Sequence, residues 1–256
     1  MGILNATPDS FSDGGKIKTP QDAIAQAEYM IANGVDLIDV GGESTRPGAD
    51  PVSLQEELDR VLPVIESLKD CGVPLSIDTY KAETMRQALH AGANCVNDIW
   101  ALRQAGALDA VLASSNCGIV LMHMQRDPQT MQFDPEYVDV ISEVSKFLNE
   151  RAELLMQSGV HHDRIAIDPG FGFGKNLEHN ISMLAHLNAF TATGFPVLAG
   201  ISRKSMLGKI TGKDTDQRMA ASIAAAIMAA DRGAQIIRVH DVSETVDALK
   251  LWEALQ

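Results

Sequence analysis

One pattern repeats from end to end of the 256-residue chain: a short apolar run, a polar loop, then a longer segment with helical spacing. The apolar runs fall at residues 2–5, 36–40, 74–78, 95–98, 118–123, 164–168, 196–200 and 235–240. They are rich in Ile, Val and Leu and mostly do not alternate with polar residues, as strands covered on both faces should read. Strands that alternate with helices imply βαβ units and a parallel sheet. Eight such units in about 250 residues fit an α/β fold of the (β/α)8, or TIM barrel, kind, with one domain over residues 1–256. A doubly wound open sheet is the alternative, though it usually has about six strands.

The helical segments carry their own punctuation. Thr19-Pro20 offers an N-cap and a first-turn proline, and Asp22 completes a capping box. Residues 24–34 keep helical spacing and stop at Asn33-Gly34. Asp134-Pro135-Glu136 is expected to open the longest helix, running to Ser158-Gly159. Another is expected from Asp214 to Arg232, with its small-residue stretch 219–230 packed as core or against a second subunit.

Polar residues cluster where strands end. Reading along the chain, the C-terminal ends carry Asn5, Asp39, Asp78, Asn97-Asp98, His123, Asp168, Ser202-Arg203-Lys204, Arg238 and His240. In a barrel all these ends open on one mouth, where active sites sit. Any single Asp or Asn could merely end a strand or cap a helix. A whole rim of them, with a Lys, two Arg and two His, is poorly explained that way. Arg238 and His240 are two apart on a strand and so face the same way. The pair suits a phosphate or diphosphate, or Arg238 forms a salt bridge to a neighbouring Asp.

The segment 170–175, GFGFGK, resembles a phosphate loop but lacks the spacing of either nucleotide fingerprint. Its glycines read as a tight loop of close approach after Asp168. Phe171 and Phe173 on it either flank a flat ligand or anchor the loop. Two loops, 7–18 and 41–51, are longer than the usual βα connection and rich in Ser, Gly and Asp, as covers over a mouth would be. His161-His162 precedes strand six, on the rim away from the site and facing solvent. His179 and His186 read as ordinary surface or core residues.

Charge narrows the class. Twenty-one Lys and Arg against 34 Asp and Glu give a formal net charge of −13, which speaks against a nucleic-acid binder or an anionic-membrane surface. The three cysteines form no CxxC pair and fit a reducing, cytoplasmic setting. No signal peptide or membrane span is expected.

The motifs GILNATPDSFSDGG (2–15), VDLIDVGGESTRPGA (35–49), SIDTYK (76–81), VNDI (96–99), DPGFGFGK (168–175), GISRKSMLG (200–208) and RVHD (238–241) together resemble the dihydropteroate synthases, a pterin-binding family of folate biosynthesis. The resemblance implies a (β/α)8 barrel that joins a dihydropterin methyl diphosphate to 4-aminobenzoate, with release of diphosphate and a requirement for Mg²⁺. It implies pterin contacts at Asp78, Asn97, Asp168 and Lys204, and a diphosphate pair at Arg238 and His240. Asn5 resembles the family's magnesium ligand, with Asp13 a second candidate. Thr45 matches a substrate contact, and Phe11, Pro47, Phe173 and Ser205 match the surroundings of 4-aminobenzoate. It also implies a homodimer and sulfonamides as competitors of 4-aminobenzoate. Ala6 and Tyr80 depart from the residues usual there. The alternatives are another pterin-binding barrel such as a corrinoid-linked methyltransferase, a Schiff-base aldolase acting through Lys204, or a non-catalytic pterin-binding module.

Overall fold

The architecture comes from a computed structural model, which describes residues 1–6, 19–45 and 48–256. Strands and helices alternate. The strands are β1 Gly2–Asn5, β2 Ile38–Gly41, β3 Leu75–Asp78, β4 Cys95–Asp98, β5 Gly118–Met122, β6 Ile165–Asp168, β7 Leu198–Ala199 and β8 Ile236–Ile237. The α-helices among the described residues are α1 Pro20–Ala32, α2 Leu54–Leu68, α3 Ala82–Ala91, α4 Ala107–Leu112, α5 Val140–Gln157, α6 Leu177–Ala185, α7 Asn188–Thr191, α8 Ser205–Thr211, α9 Met219–Asp231 and α10 Val242–Glu253.

All strand pairing is parallel. β1 to β6 form one six-stranded sheet in sequence order, and β7 pairs with β8. Two bridges close the circle, Ile167 to Val197 and Gly2 to Val239. At the second seam Ile3 N–H donates to Val239 O at 2.9 Å and Val239 N–H donates to Met1 O at 2.9 Å. The expected barrel is therefore present, and the open sheet is not.

Closure explains the strand sequences. Outward residues Leu4, Val40, Ile77, Val96, Leu121 and Ile167 join the helices in one continuous core. Inward residues Met1, Val120, Ala166 and Leu198 form a separate apolar plug low in the barrel. Above that plug the inward positions turn polar. One lateral row of the register runs Asn5, Gly41, Asp78, Asn97 across β1 to β4. The chain therefore places its carboxylates on the inner face near the C-terminal ends, over an apolar floor.

Helix caps follow chemistry visible in the sequence, with two corrections. Thr19 and Asp22 make the expected reciprocal capping box on α1. The longest helix begins at Val140 rather than at Asp134: Asp134 sits at φ +46, and it is the Asp139 side chain that accepts from Ile141 and Ser142 N–H. The segment expected as one helix from Asp214 is instead a 3₁₀ turn, Thr215–Gln217, followed by α9. Arg218 separates them, because its guanidinium donates to the carbonyls of Lys213 and Arg203, both at 3.0 Å. Ala225, Ala226, Ala229 and Ala230 give α9 a buried face, while Met228 is exposed. Among the described residues no helix is long and apolar enough to cross a membrane.

Candidate active site

Arg238 is the hub of the barrel mouth. From the end of β8 its Nε donates to Asp39 Oδ2 at 2.6 Å and its Nη2 donates to Asp78 Oδ2 at 2.7 Å. Asn97 Nδ2 reaches the same Asp39 oxygen at 2.9 Å. Side chains from β2, β3, β4 and β8 thus meet in one cluster. The salt-bridge reading of Arg238 is realised, with two carboxylates, inside the cavity. Both second oxygens, Asp39 Oδ1 and Asp78 Oδ1, are buried without a hydrogen-bond partner among the described residues. A buried acceptor left unpaired is costly unless something arrives to donate to it. Burial raises the pKa of Asp78, as do nearby Asp39 and Asp98, against the pull of Arg238.

Asp168 and Lys204 form the opposite wall. Asp168 is buried, and its Oδ1 accepts Gly170 N–H at 2.7 Å. Burial raises its pKa even though Lys204, Arg238 and Lys175 pull the other way. Lys204 follows β7, donates to the carbonyl of Phe171 and lies 4.8 Å from the centre of the Phe173 ring. Burial pushes its ammonium down to about 8. Carboxylates and a lysine facing one mouth suit a planar molecule that offers N–H donors and a carbonyl.

The GFGFGK loop is built around a buried lysine, whose pKa burial holds well below the ordinary value. Lys175 Nζ lies 2.9 Å from His123 Nδ1, and it donates to Phe173 O at 2.9 Å, Gly170 O at 3.0 Å and His123 O at 3.3 Å. Asn180 completes the clamp by accepting Gly172 N–H at 2.7 Å and donating to Lys175 O at 3.1 Å. A Cβ on Gly170, at φ +72, would lie 2.0 Å from the carbonyl oxygen of His123, so only glycine allows this approach. Phe171 is fully buried in the main core, which settles its role as an anchor. Phe173 packs instead at the mouth, with Met122, Met124 and Met131.

The remaining rim residues divide. His240 lies beside β7, with Nδ1 2.9 Å from Ser202 Oγ. Arg203, at φ +56, is braced by Asp241 and by Ser222, and so fixes the turn between Ser202 and Lys204. Ser205 opens α8 on the exposed side of that turn, Thr45 lies partly buried in the second loop, and Asn5 ends β1. Two strand-end residues do not enter the cavity. Asp98 caps a turn by accepting Trp100 and Leu102 N–H, both at 2.8 Å. His123 faces outward against Phe147 of α5, ring centres 4.9 Å apart. Phe11, Asp13, Pro47 and the whole of the 7–18 loop lie outside the described residues. His161 and His162 are exposed, as expected.

Sequence reasoning passed over a second cluster. Glu43 accepts from Tyr80 Oη at 2.7 Å and from Lys81, while Lys81 also pairs with buried Glu57 at 3.0 Å. These groups tie the start of the second loop to α2 and to the β3–α3 turn. The signal in the sequence was the unusual Tyr80 next to a lysine. Asp39 and Ser202 were visible as strand-end residues, but nothing in the sequence said what they touch.

Comparison with known proteins places the chain in a family and a fold. The family described as "Pterin binding enzyme" matches residues 1–240. A dihydropteroate synthase of Neisseria meningitidis serogroup C is 49% identical over 259 residues, covering 100% of this chain and 92% of its own length. The Yersinia pestis dihydropteroate synthase in a sulfonamide drug complex superposes with a TM-score of 0.97 at 48% identity, covering 100% of this chain and 93% of that one. The Burkholderia cenocepacia dihydropteroate synthase complexed with 7,8-dihydropteroate gives a TM-score of 0.91 at 53% identity, covering 100% and 90%.

Proposed function

The chain belongs to the pterin-binding enzyme family, as a dihydropteroate synthase, and from that premise we propose which residues carry the condensation of the dihydropterin methyl diphosphate with 4-aminobenzoate. Asp78, Asn97 and Asp168 accept from the guanidine-like edge of the pterin. Lys204 donates to its carbonyl. The observation that carries this reading is the cluster itself: Arg238 joined to Asp78 at 2.7 Å, with Asp78 Oδ1 buried and unpartnered beside it. A pterin N–H supplies the missing donor. Arg238 and His240 then hold the diphosphate on the β8 side.

The chemistry needs little proton transfer. The aromatic amine attacks the pterin methylene carbon, the C–O bond to diphosphate breaks, and one amine proton is lost to solvent. Positive charge develops on the pterin as the bond breaks. Asp78 and Asp168 interact with that charge more strongly in the transition state than in the ground state, which lowers the barrier. Arg238 and His240 meet the charge that grows on the leaving group. Phe173, Ser205 and Thr45 border the 4-aminobenzoate and align its amine.

Mg²⁺ fits the mouth at Asn5. Its Oδ1 lies at the open end of β1, 3.9 Å from where a Cβ on Gly41 would stand, and is a hard oxygen donor. Among the described residues no three His, Cys, Asp or Glu side chains are grouped to hold a metal. Mg²⁺ needs no such cage, since it usually takes one or two protein oxygens besides waters and substrate phosphates. When bound it supplies charge neutralisation for the departing diphosphate. Asp13 is the further candidate ligand. We include in the same reading a single catalytic domain over residues 1–256, a homodimer and a cytoplasmic setting, which the three free cysteines support.

Diphosphate release on mixing the pterin diphosphate, 4-aminobenzoate and Mg²⁺ tests the whole. Release that requires all three is expected. Release indifferent to 4-aminobenzoate, or to metal removal by chelation, contradicts it.

A further inference from the structure

Asp39 is fully buried on β2 and has no role in the assignments above. Its Oδ2 accepts two donors at once, Asn97 Nδ2 at 2.9 Å and Arg238 Nε at 2.6 Å. A primary amide has a donor end and an acceptor end, and which end points where must be decided by its partners. A carboxylate oxygen only accepts. The NH₂ end of Asn97 is therefore the end committed to Asp39, and the carbonyl end is turned away from it. Asn97 lies on the inner face of β4, in the register row of Asp78.

We propose that Asp39 is a positioning residue that fixes the Asn97 amide, consuming its donor and presenting its oxygen to the donor-rich edge of the pterin. The same oxygen holds Arg238 by Nε, so that Nη2 falls on Asp78. One buried carboxylate thus sets an acceptor of the pterin site and the heading of the cation beside it. The inference rests on the assignment of Asn97 to the pterin.

Asp39→Asn and Asp39→Leu separate the acceptor from the charge, since both remove the same charge at similar volume. In Asp39→Asn the amide oxygen replaces Oδ2, and its NH₂ group takes the place of Oδ1, which has no partner. Calorimetry with 6-hydroxymethylpterin is the readout. Asn97→Ala comes first: a loss of tenfold or more supports the contact, and unchanged affinity overturns the pterin assignment and this inference with it. Given that contact, Asp39→Asn is expected to bind within threefold of wild type. Asp39→Leu is expected to lose tenfold or more, with no further loss on adding Asn97→Ala. Losses that multiply in the double variant, or equal losses for Asn and Leu, overturn the proposal while leaving the parent reading intact. If the Asp39→Leu chain does not fold, Asn97→Asp decides: beside Asp39 it is expected to bind at least tenfold more weakly at pH 8. Equal or tighter binding overturns the proposal.

Discussion

Arg238 Nη2 lies 2.7 Å from Asp78 Oδ2, although 160 residues separate the two in sequence. The contact spans the barrel mouth from β8 to β3. It joins the cation proposed for the diphosphate to a carboxylate proposed for the pterin. Removing the guanidinium therefore affects both halves of the substrate. Arg238→Ala is expected to lower turnover at least ~10²-fold, equivalent to ~2.7 kcal/mol of transition-state stabilisation. Steady-state diphosphate release measures this, and a rate near wild type would remove Arg238 from the mechanism.

Asp168→Asn tests the other wall. The change keeps the acceptor for Gly170 N–H but removes the charge. Pterin affinity by calorimetry is expected to fall at least ~10-fold, in line with the loss of a charge-assisted hydrogen bond in a buried site. The thermal midpoint of the ligand-free protein should not fall, because burial already disfavours that carboxylate.

The Lys204 ammonium carries a pH dependence. Its pKa is depressed from 10.5 to about 8, first by burial. A depressed pKa means that its contribution to stability is present above the ordinary lysine value and is lost as pH falls through about 8. At pH 7 the ligand-free protein therefore holds a buried charge at a cost. Lys204→Met is expected to raise the ligand-free melting temperature at pH 7 by a few degrees and to weaken pterin binding at least ~10-fold. Wild-type affinity for the pterin is expected to decline as pH rises past about 8, where the donor loses its proton. Differential scanning calorimetry and titration at pH 7 and 9 check both signs.

Lys175 and His123 form a separate, structural device. Burial, then the nearby Lys175 charge, holds the His123 imidazole far below its ordinary pKa, so its Nδ1 is available as an acceptor. Lys175→Met would leave that nitrogen and the carbonyls of His123 and Phe173 without this donor, while Gly170 O keeps Phe173 N–H at 3.1 Å. The expected loss is ~3 kcal/mol, or a melting temperature lower by roughly 6–12 °C. An unchanged melting temperature would show that the loop is held by Asn180 and its glycines alone.

Much of this was legible in the sequence, for a physical reason. Strands covered on both faces must be apolar, so Asn5, Asp78, Asn97 and Asp168 stood out at their ends. The cap at Thr19 and Asp22 was readable because it uses only neighbours. Which strand-end residues face inward was not readable. A doubly covered strand has no polar face to mark the parity, so Asp98 and His123 looked like site residues until pairing turned them outward. What Asp39 and Lys175 touch was hidden for a related reason: their partners lie 199 and 52 residues away. The start of α5 was misplaced because Asp134 and Asp139 offer the same cap chemistry. The left-handed backbone at Asp134 decides between them.

The central claim is that residues from β3, β4 and β6, with Lys204 after β7, enclose a single pterin. A crystal structure with 6-hydroxymethylpterin bound tests it most directly. Ring density within hydrogen-bond distance of Asp78, Asn97, Asp168 and Lys204 at once is the expected result. Density that contacts none of Asp78, Asn97 and Asp168, at full ligand occupancy, would contradict it.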